Sequence, residues 1–142
     1  MFYRPADDLR PPPLAYNPLN ALVAPRPIGW IATVSAAGEA NLAPFSYFNA
    51  FSADPPIVGF APNAKAAGDD VKDTLANIRE VAEFTVSIVS ADLAPAMNES
   101  LRAPPYPGEH DEFVLAGVTE APSRLRRPAI MWARRARYLS AS

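Results

Sequence analysis

Residues 28–34, IGWIATV, form a largely apolar run, residues 35–39 a Gly-containing turn, and residues 40–42 resume the run, so this stretch reads as two strands of a hairpin. The next residues, NLAPFSYFN, mix amide, hydroxyl and aromatic groups without a clean period and read as an irregular segment. Residues 57–61, IVGFA, follow Asp54-Pro55-Pro56 and read as a short buried strand entered through a rigid turn, with a polar loop over 62–70. Lys72-Asp73-Thr74 opens a helix: Asp73 suits the N-cap, Leu75, Ile78, Val81 and Ala82 recur at helical spacing, and the end falls near Glu83. Residues 84–89, FTVSIV, are β-branched and apolar enough for a central strand. Ser90 or Asp92 caps a second short helix over 93–101, which breaks at Ala103-Pro104-Pro105. A Pro-rich loop reaches Phe113, and residues 113–118 read as a last weak strand.

Several strands with two interspersed helices predict a mainly β architecture, a barrel carrying helices rather than a doubly wound sheet. The 17 prolines among 142 residues point the same way, since proline interrupts long helices. No strand leads into GxGxxG and a helix, and there is no Walker A loop. With no cysteine, thiolate metal sites, disulfides and a cysteine nucleophile are all excluded, so redox chemistry requires a borrowed cofactor. The start of the chain lacks the apolar core of a signal peptide, and no apolar run approaches the roughly 20 residues of a membrane span; a cytoplasmic location is expected.

Charge divides the chain. All 15 acidic residues lie at or before Glu120, whereas Arg124, Arg126, Arg127, Arg134, Arg135 and Arg137 follow it. The expected organisation is an extended N-terminal arm over 1–25, a folded domain over 26–120 and a divergent Arg-rich tail over 121–142. That tail carries no nucleic-acid-binding motif and the body is acidic, which argues against a nucleic-acid partner.

The irregular aromatic run suits a flat heteroaromatic ligand, which needs apolar faces and a few polar groups at its edge. Asn41, Ser46 and Asn49 have the chemistry for that edge, or equally satisfy backbone groups in a local turn. Phe45, Tyr47, Phe48 and Phe51 serve as stacking partners or, more simply, as core or subunit-contact residues. Lys72, Asp73 and Thr74 at a helix start suit a phosphate, the simpler alternative being a solvated lysine beside an N-cap. Arg26, stiffened between Pro25 and Pro27, is pre-positioned for phosphate or carboxylate, or is a surface arginine. His110, the only histidine, is flanked by acids and cannot make a histidine-based metal cluster. Asn98-Glu99-Ser100 matches a glycosylation acceptor by chance, in a predicted helix.

Four pieces in order, PRPIGWIATVS, NLAPFSYFNAFSADPP, KDTLANI and a downstream DEF, resemble the flavin reductase-like family of FMN-binding split barrels over roughly residues 16–123. The resemblance implies a Greek-key split β-barrel, a homodimer, and FMN, or FAD in its place, bound near the subunit interface. It also implies NADH or NADPH as electron donor and a partner monooxygenase that receives reduced flavin. By position, the flavin-contacting run falls on residues 41–49, including Asn41, Ala43, Pro44, Phe45, Ser46 and Asn49. The phosphate-contacting KDT falls on Lys72, Asp73 and Thr74, and Arg26 matches the arginine before the first barrel strand. After Leu125 the family pattern is lost in RRPAIMWARRARYLSAS, which reads as truncation of the last strands, or as a genuine variant with a helix over 130–139. The alternatives to a reductase are then an FMN-binding protein without turnover and an inactive remnant.

Overall fold

The computed structural model describes residues 18–62, 73–101, 111–123, 130–132 and 137–141, the last two segments by their backbone alone. The chain begins with a short helix α1 (Pro18–Leu22), which buries none of its residues. It then enters β1 (Gly29–Val34), whose six residues are all buried. A strand buried along its whole length must be covered on both faces, and β1 is the centre around which the rest is laid.

β1 pairs antiparallel with β2 (Ala40–Phe45) on one side and β5 (Phe84–Ile88) on the other. β8 (Arg137–Ala141) adds to β5 and gives the sheet order β2-β1-β5-β8. A second hairpin joins β3 (Phe48–Ala53) to β4 (Pro56–Phe60), with a register irregularity between Ala50 and Ser52. β6 (Thr119–Ala121) pairs with β7 (Ile130–Trp132). The helices are α2 (Asp73–Val81), α3 (Ala94–Glu99), reached through a 3-10 turn at Ala91–Leu93, and α4 (Glu112–Ala116).

Alternation along the strands sorts the core into two layers. On one face Trp30, Ala32 and Leu42 meet Phe113 and Ala116 of α4, with Leu93, Ala96 and Met97 around α3. Trp30 is fully buried, and its indole Nε1 donates to Ser100 Oγ at 3.1 Å, while that hydroxyl donates to Met97 O at 2.7 Å. The serine of the glycosylation-like triplet is therefore a buried anchor for Trp30. On the other face Ile31, Phe45, Phe48 and Val86 pack with Val58, Phe60 and Phe84, so the β3–β4 hairpin covers one end of the sheet. α2 covers the other end of that face, over Thr33 and Asn41.

Several expectations change. The run 41–49 is not irregular: β2 continues to Phe45, two residues bend, and β3 starts at Phe48. The strand expected over 57–61 is β4 (Pro56–Phe60), but it is partly exposed rather than buried, because among the described residues it pairs only with β3 and lies outside the four-stranded sheet. Residues 113–118 are not a strand. Asp111 accepts hydrogen bonds from the backbone N–H groups of Phe113 and Val114, Gly117 closes the helix with φ 63, and Phe113 and Ala116 are buried one turn apart. The Asp cap and the left-handed Gly mark out a one-turn helix there. In the tail, 130–132 and 137–141 are strands and not a helix. The poly-proline arm, Lys72, most of the 62–70 loop, His110 and five of the six tail arginines lie outside the described residues.

Candidate functional site

β2 is an edge strand of the four-stranded sheet, with β8 at the other edge, among the described residues. Ser35 N donates to Glu39 O at 2.9 Å, and the antiparallel register then alternates, so that Leu42 and Pro44 turn their backbone groups away from β1. Pro44 fits this position because a proline lacks the N–H that an inner strand would need. The open side of β2 and the bend at Ser46-Tyr47 make the wall on which the candidate residues gather.

A cavity of about 520 Å³ opens beside that bend. The β3–β4 hairpin contributes Phe48, Asn49, Phe51, Gly59 and Phe60, the bend contributes Ser46 and Tyr47, and the segment before β1 contributes Val23, Pro25, Arg26 and Pro27. Its size falls within the range of small-molecule and cofactor sites, and its mainly apolar wall with a few polar groups is their usual chemistry. Phe60 continues inward, 4.8 Å between ring centroids from Phe45 and 5.3 Å from Phe84, so the cavity floor is braced on the core.

Arg26 is the one charged residue among the described residues of this lining. Its Nη1 donates to the carbonyls of Asn20 at 3.1 Å and Val23 at 3.0 Å, and its guanidinium lies 5.3 Å from the centre of the Tyr47 ring. The Tyr47 hydroxyl donates in turn to Asn20 Oδ1. Arg26 Nε is buried and finds no partner among the described residues. A buried donor with no acceptor is costly, and this N–H has none among the described residues.

A second cavity, of about 450 Å³, lies at the other end of β2. Ser35, Glu39, Ala40, Asn41, Asp73, Asn77, Asp111, Glu112 and Glu120 line it, five acids with no base in the described lining. Beneath it runs a buried polar chain. Thr74 Oγ1 donates to Asn41 Oδ1 at 2.8 Å, and Thr33 Oγ1 donates to the same oxygen at 3.3 Å. Asn77 Nδ2 donates to Thr33 Oγ1 at 3.1 Å, and Asn41 Nδ2 reaches Glu112 Oε1 at 3.4 Å.

The sequence-assigned residues thus fall into two groups at opposite ends of β2. Arg26, Ser46 and Asn49 share the apolar cavity, whereas Asn41 and Asp73 share the acidic one, with Thr74 beneath them. Ala43 and Pro44 lie half-buried on the strand between the groups, and Phe45 is a core residue. Tyr47 and Phe51 stand in the cavity wall, while Phe48 belongs to both wall and core. Sequence reasoning missed Phe60, Thr33 and Asn77. Phe60 was visible as the aromatic ending a strand after a Pro-Pro turn. Thr33 and Asn77 carried no apolar signal, although Thr74 and Asn77 at helical spacing in a short amphipathic segment were the available hint.

The family model described as flavin reductase like domain matches residues 22–137, past residue 123 where the sequence resemblance stops and on through β7 into the first residue of β8. An uncharacterized protein of Deinococcus radiodurans is 45% identical over 114 residues, covering 77% of this chain and 48% of the relative. The chain spans about half the length of the curated relatives it matches. Among solved structures, nitrilotriacetate monooxygenase component B from Bacillus cereus superposes with a TM-score of 0.68 at 29% identity, over 87% of this chain and 62% of that one. A protein with a split barrel domain from Shewanella frigidimarina superposes with a TM-score of 0.70 at 17% identity, over 92% and 62% respectively. The mainly β arrangement of strands with helices is therefore that of the split barrels.

Proposed function

We propose that this chain, which belongs to the flavin reductase-like family, is an FMN-dependent oxidoreductase using NADH or NADPH as electron donor. The single observation that carries this reading beyond the family is the apolar cavity of about 520 Å³, with its aromatic wall and one unsatisfied arginine N–H. A bound flavin would supply the hydride acceptor for the nicotinamide, so the site would need no general base of its own.

This chain's part is to bind, orient and exclude water. Tyr47, Phe51 and Phe60 offer the flat apolar surface, Ser46 and Asn49 the polar groups for a ring edge, and Arg26 Nε the donor to an anionic or carbonyl oxygen. The backbone of Asn41, Ala43, Pro44 and Phe45 forms the strand wall. Asp73 and Thr74 at the start of α2, with Lys72 preceding them in sequence, take the phosphate end, where the free N–H groups of the first turn are donors. The acids of the neighbouring cavity oppose a phosphate, so the phosphate contact is expected to depend on Lys72 and those N–H groups.

The similarity to a monooxygenase component B supports a partner oxygenase that receives the reduced flavin. Exposed Leu22, Val23 and Phe51 beside the cavity support a homodimer whose second copy closes the site. The test is titration with FMN, followed by flavin fluorescence and thermal unfolding. At about 100 times the dissociation constant the ligand should stabilise the fold by roughly 2.7 kcal/mol. An unchanged melting curve at saturating FMN, in protein purified without flavin, contradicts the reading.

A further inference from the structure

We propose that Asn20 is a positioning residue for the apolar cavity: by accepting hydrogen bonds from Tyr47 and Arg26 it latches residues 18–25 as a movable wall that sets how fast flavin enters and leaves; this rests on the FMN reading above. Little else holds the segment. α1 buries none of its residues, and residues 19–25 are exposed throughout. A one-turn helix is not stable by itself, and a stretch without buried apolar contacts lies at the low-stability end of a fold. Yet Val23 and Pro25 line the cavity, so this weakly held stretch is part of its wall.

Three groups on three parts of the chain close the latch. Asn20 lies on α1, Arg26 on the segment before β1, and Tyr47 in the bend between β2 and β3. Both protons of Arg26 Nη1 are engaged, one by the Asn20 carbonyl at 3.1 Å and one by the Val23 carbonyl at 3.0 Å. At the C-terminal end of α1 no further turn supplies N–H groups to the carbonyls, and a cation is favourable there. The side-chain oxygen of Asn20 accepts from the Tyr47 hydroxyl, and the Arg26 guanidinium lies 5.3 Å from the centre of the Tyr47 ring. Tyr47 is the fixed end: Ala61 N donates to its carbonyl at 2.9 Å, which ties the bend to the chain leaving β4.

These contacts are exposed and polar, so they break and re-form without disturbing the core, whereas Phe48 and Phe60 of the hairpin wall are packed into it. When the latch opens, Val23 and Pro25 leave the wall with α1 and the cavity gains an entrance. The latch bonds join parts of the chain to one another and hold the empty and the filled cavity alike. A contact that favours closure equally in both states shifts no binding equilibrium, but it slows both entry and escape.

The experiment measures association and dissociation rates of FMN by stopped-flow flavin fluorescence, at one chain concentration. Asn20→Ala removes the acceptor at an exposed position outside the described cavity lining. It should raise both rates about fivefold, the worth of one exposed hydrogen bond, and leave the dissociation constant within about twofold. Asn20→Asp, which keeps an acceptor for the Tyr47 hydroxyl, should restore the slow rates. Tyr47→Phe keeps the ring and the sequence of α1 but removes the hydroxyl, and combining it with Asn20→Ala should speed association no further than Asn20→Ala alone. In the flavin-free chain the Val23 amide, which bonds to Leu19 O at 3.0 Å, should exchange its hydrogen about fivefold faster in Tyr47→Phe. Unchanged FMN rates in Asn20→Ala, or faster dissociation alone with a matching loss of affinity, overturns the latch, and so does unchanged exchange at Val23. Failure of the unaltered chain to bind FMN overturns instead the FMN reading, and the exchange measurement then decides the latch without flavin.

Discussion

A Cβ built on Gly29 would fall 2.7 Å from Phe48 Cδ2, and Phe48 is buried in the core, so neither side can yield. Gly29→Ala is expected to cost about 1–3 kcal/mol in chemical unfolding. Gly59 makes a similar close approach, 2.8 Å to Phe51 Cε2, but Phe51 is 71% exposed and its ring can turn away. Gly59→Ala should accordingly cost less than about 1 kcal/mol in the same measurement. Arg26 makes a different prediction. Arg26→Leu removes the two carbonyl bonds, the contact with Tyr47 and the free Nε together, and flavin affinity measured by fluorescence should fall about tenfold or more. Arg26 was legible in the sequence because flanking prolines stiffen it just ahead of a strand. Thr33 and Asn77 were not, because burial of a polar side chain follows from what packs above it and leaves no hydrophobic trace.

At the scale of elements, α2 ends at Val81, and Ala82 follows with φ 58 and its N–H bonded to Ile78 O at 3.0 Å. A left-handed conformation costs a non-Gly residue roughly 1–2 kcal/mol, partly offset by the extra chain entropy that glycine loses on folding. Ala82→Gly is therefore expected to raise stability by about 0.5–1 kcal/mol, read as a higher melting temperature. α4 depends on its cap: Asp111→Ala leaves the Phe113 and Val114 N–H groups without their acceptor and should cost about 1 kcal/mol. The first hairpin was legible from alternation and its Gly-containing turn, because both signals are local. β2 was underestimated beyond Leu42 because its residues mix amide, hydroxyl and aromatic groups without a clean period, and Pro44 is acceptable in it only at a sheet edge. α4 was misread because a helix of one turn is too short to show a period, so its capping residues were the only usable signal.

For the molecule as a whole, the layering around Trp30 and Ile31 follows from a strand apolar on both faces, and that much was readable. The pairing of β8 with β5 was not, since an Arg-rich segment carries no strand pattern and the ladder is made by backbone groups that any sequence supplies. Among the described residues no helix is long and apolar enough to cross a membrane. α1 buries nothing within the chain, and Leu22 at 82% exposure stands near Val23 of the cavity rim, as expected of a surface that a second copy covers. Light scattering should give the dimer mass, and Leu22→Asp should shift it toward the monomer. The central claim, a flavin site served by a nicotinamide donor, is tested most directly by the visible absorbance of the FMN-loaded protein under anaerobic conditions, before and after adding NADH or NADPH. The account predicts flavin bands that bleach on addition of the donor and return with air. Bands that persist with both donors would contradict it and leave a flavin-binding protein without turnover.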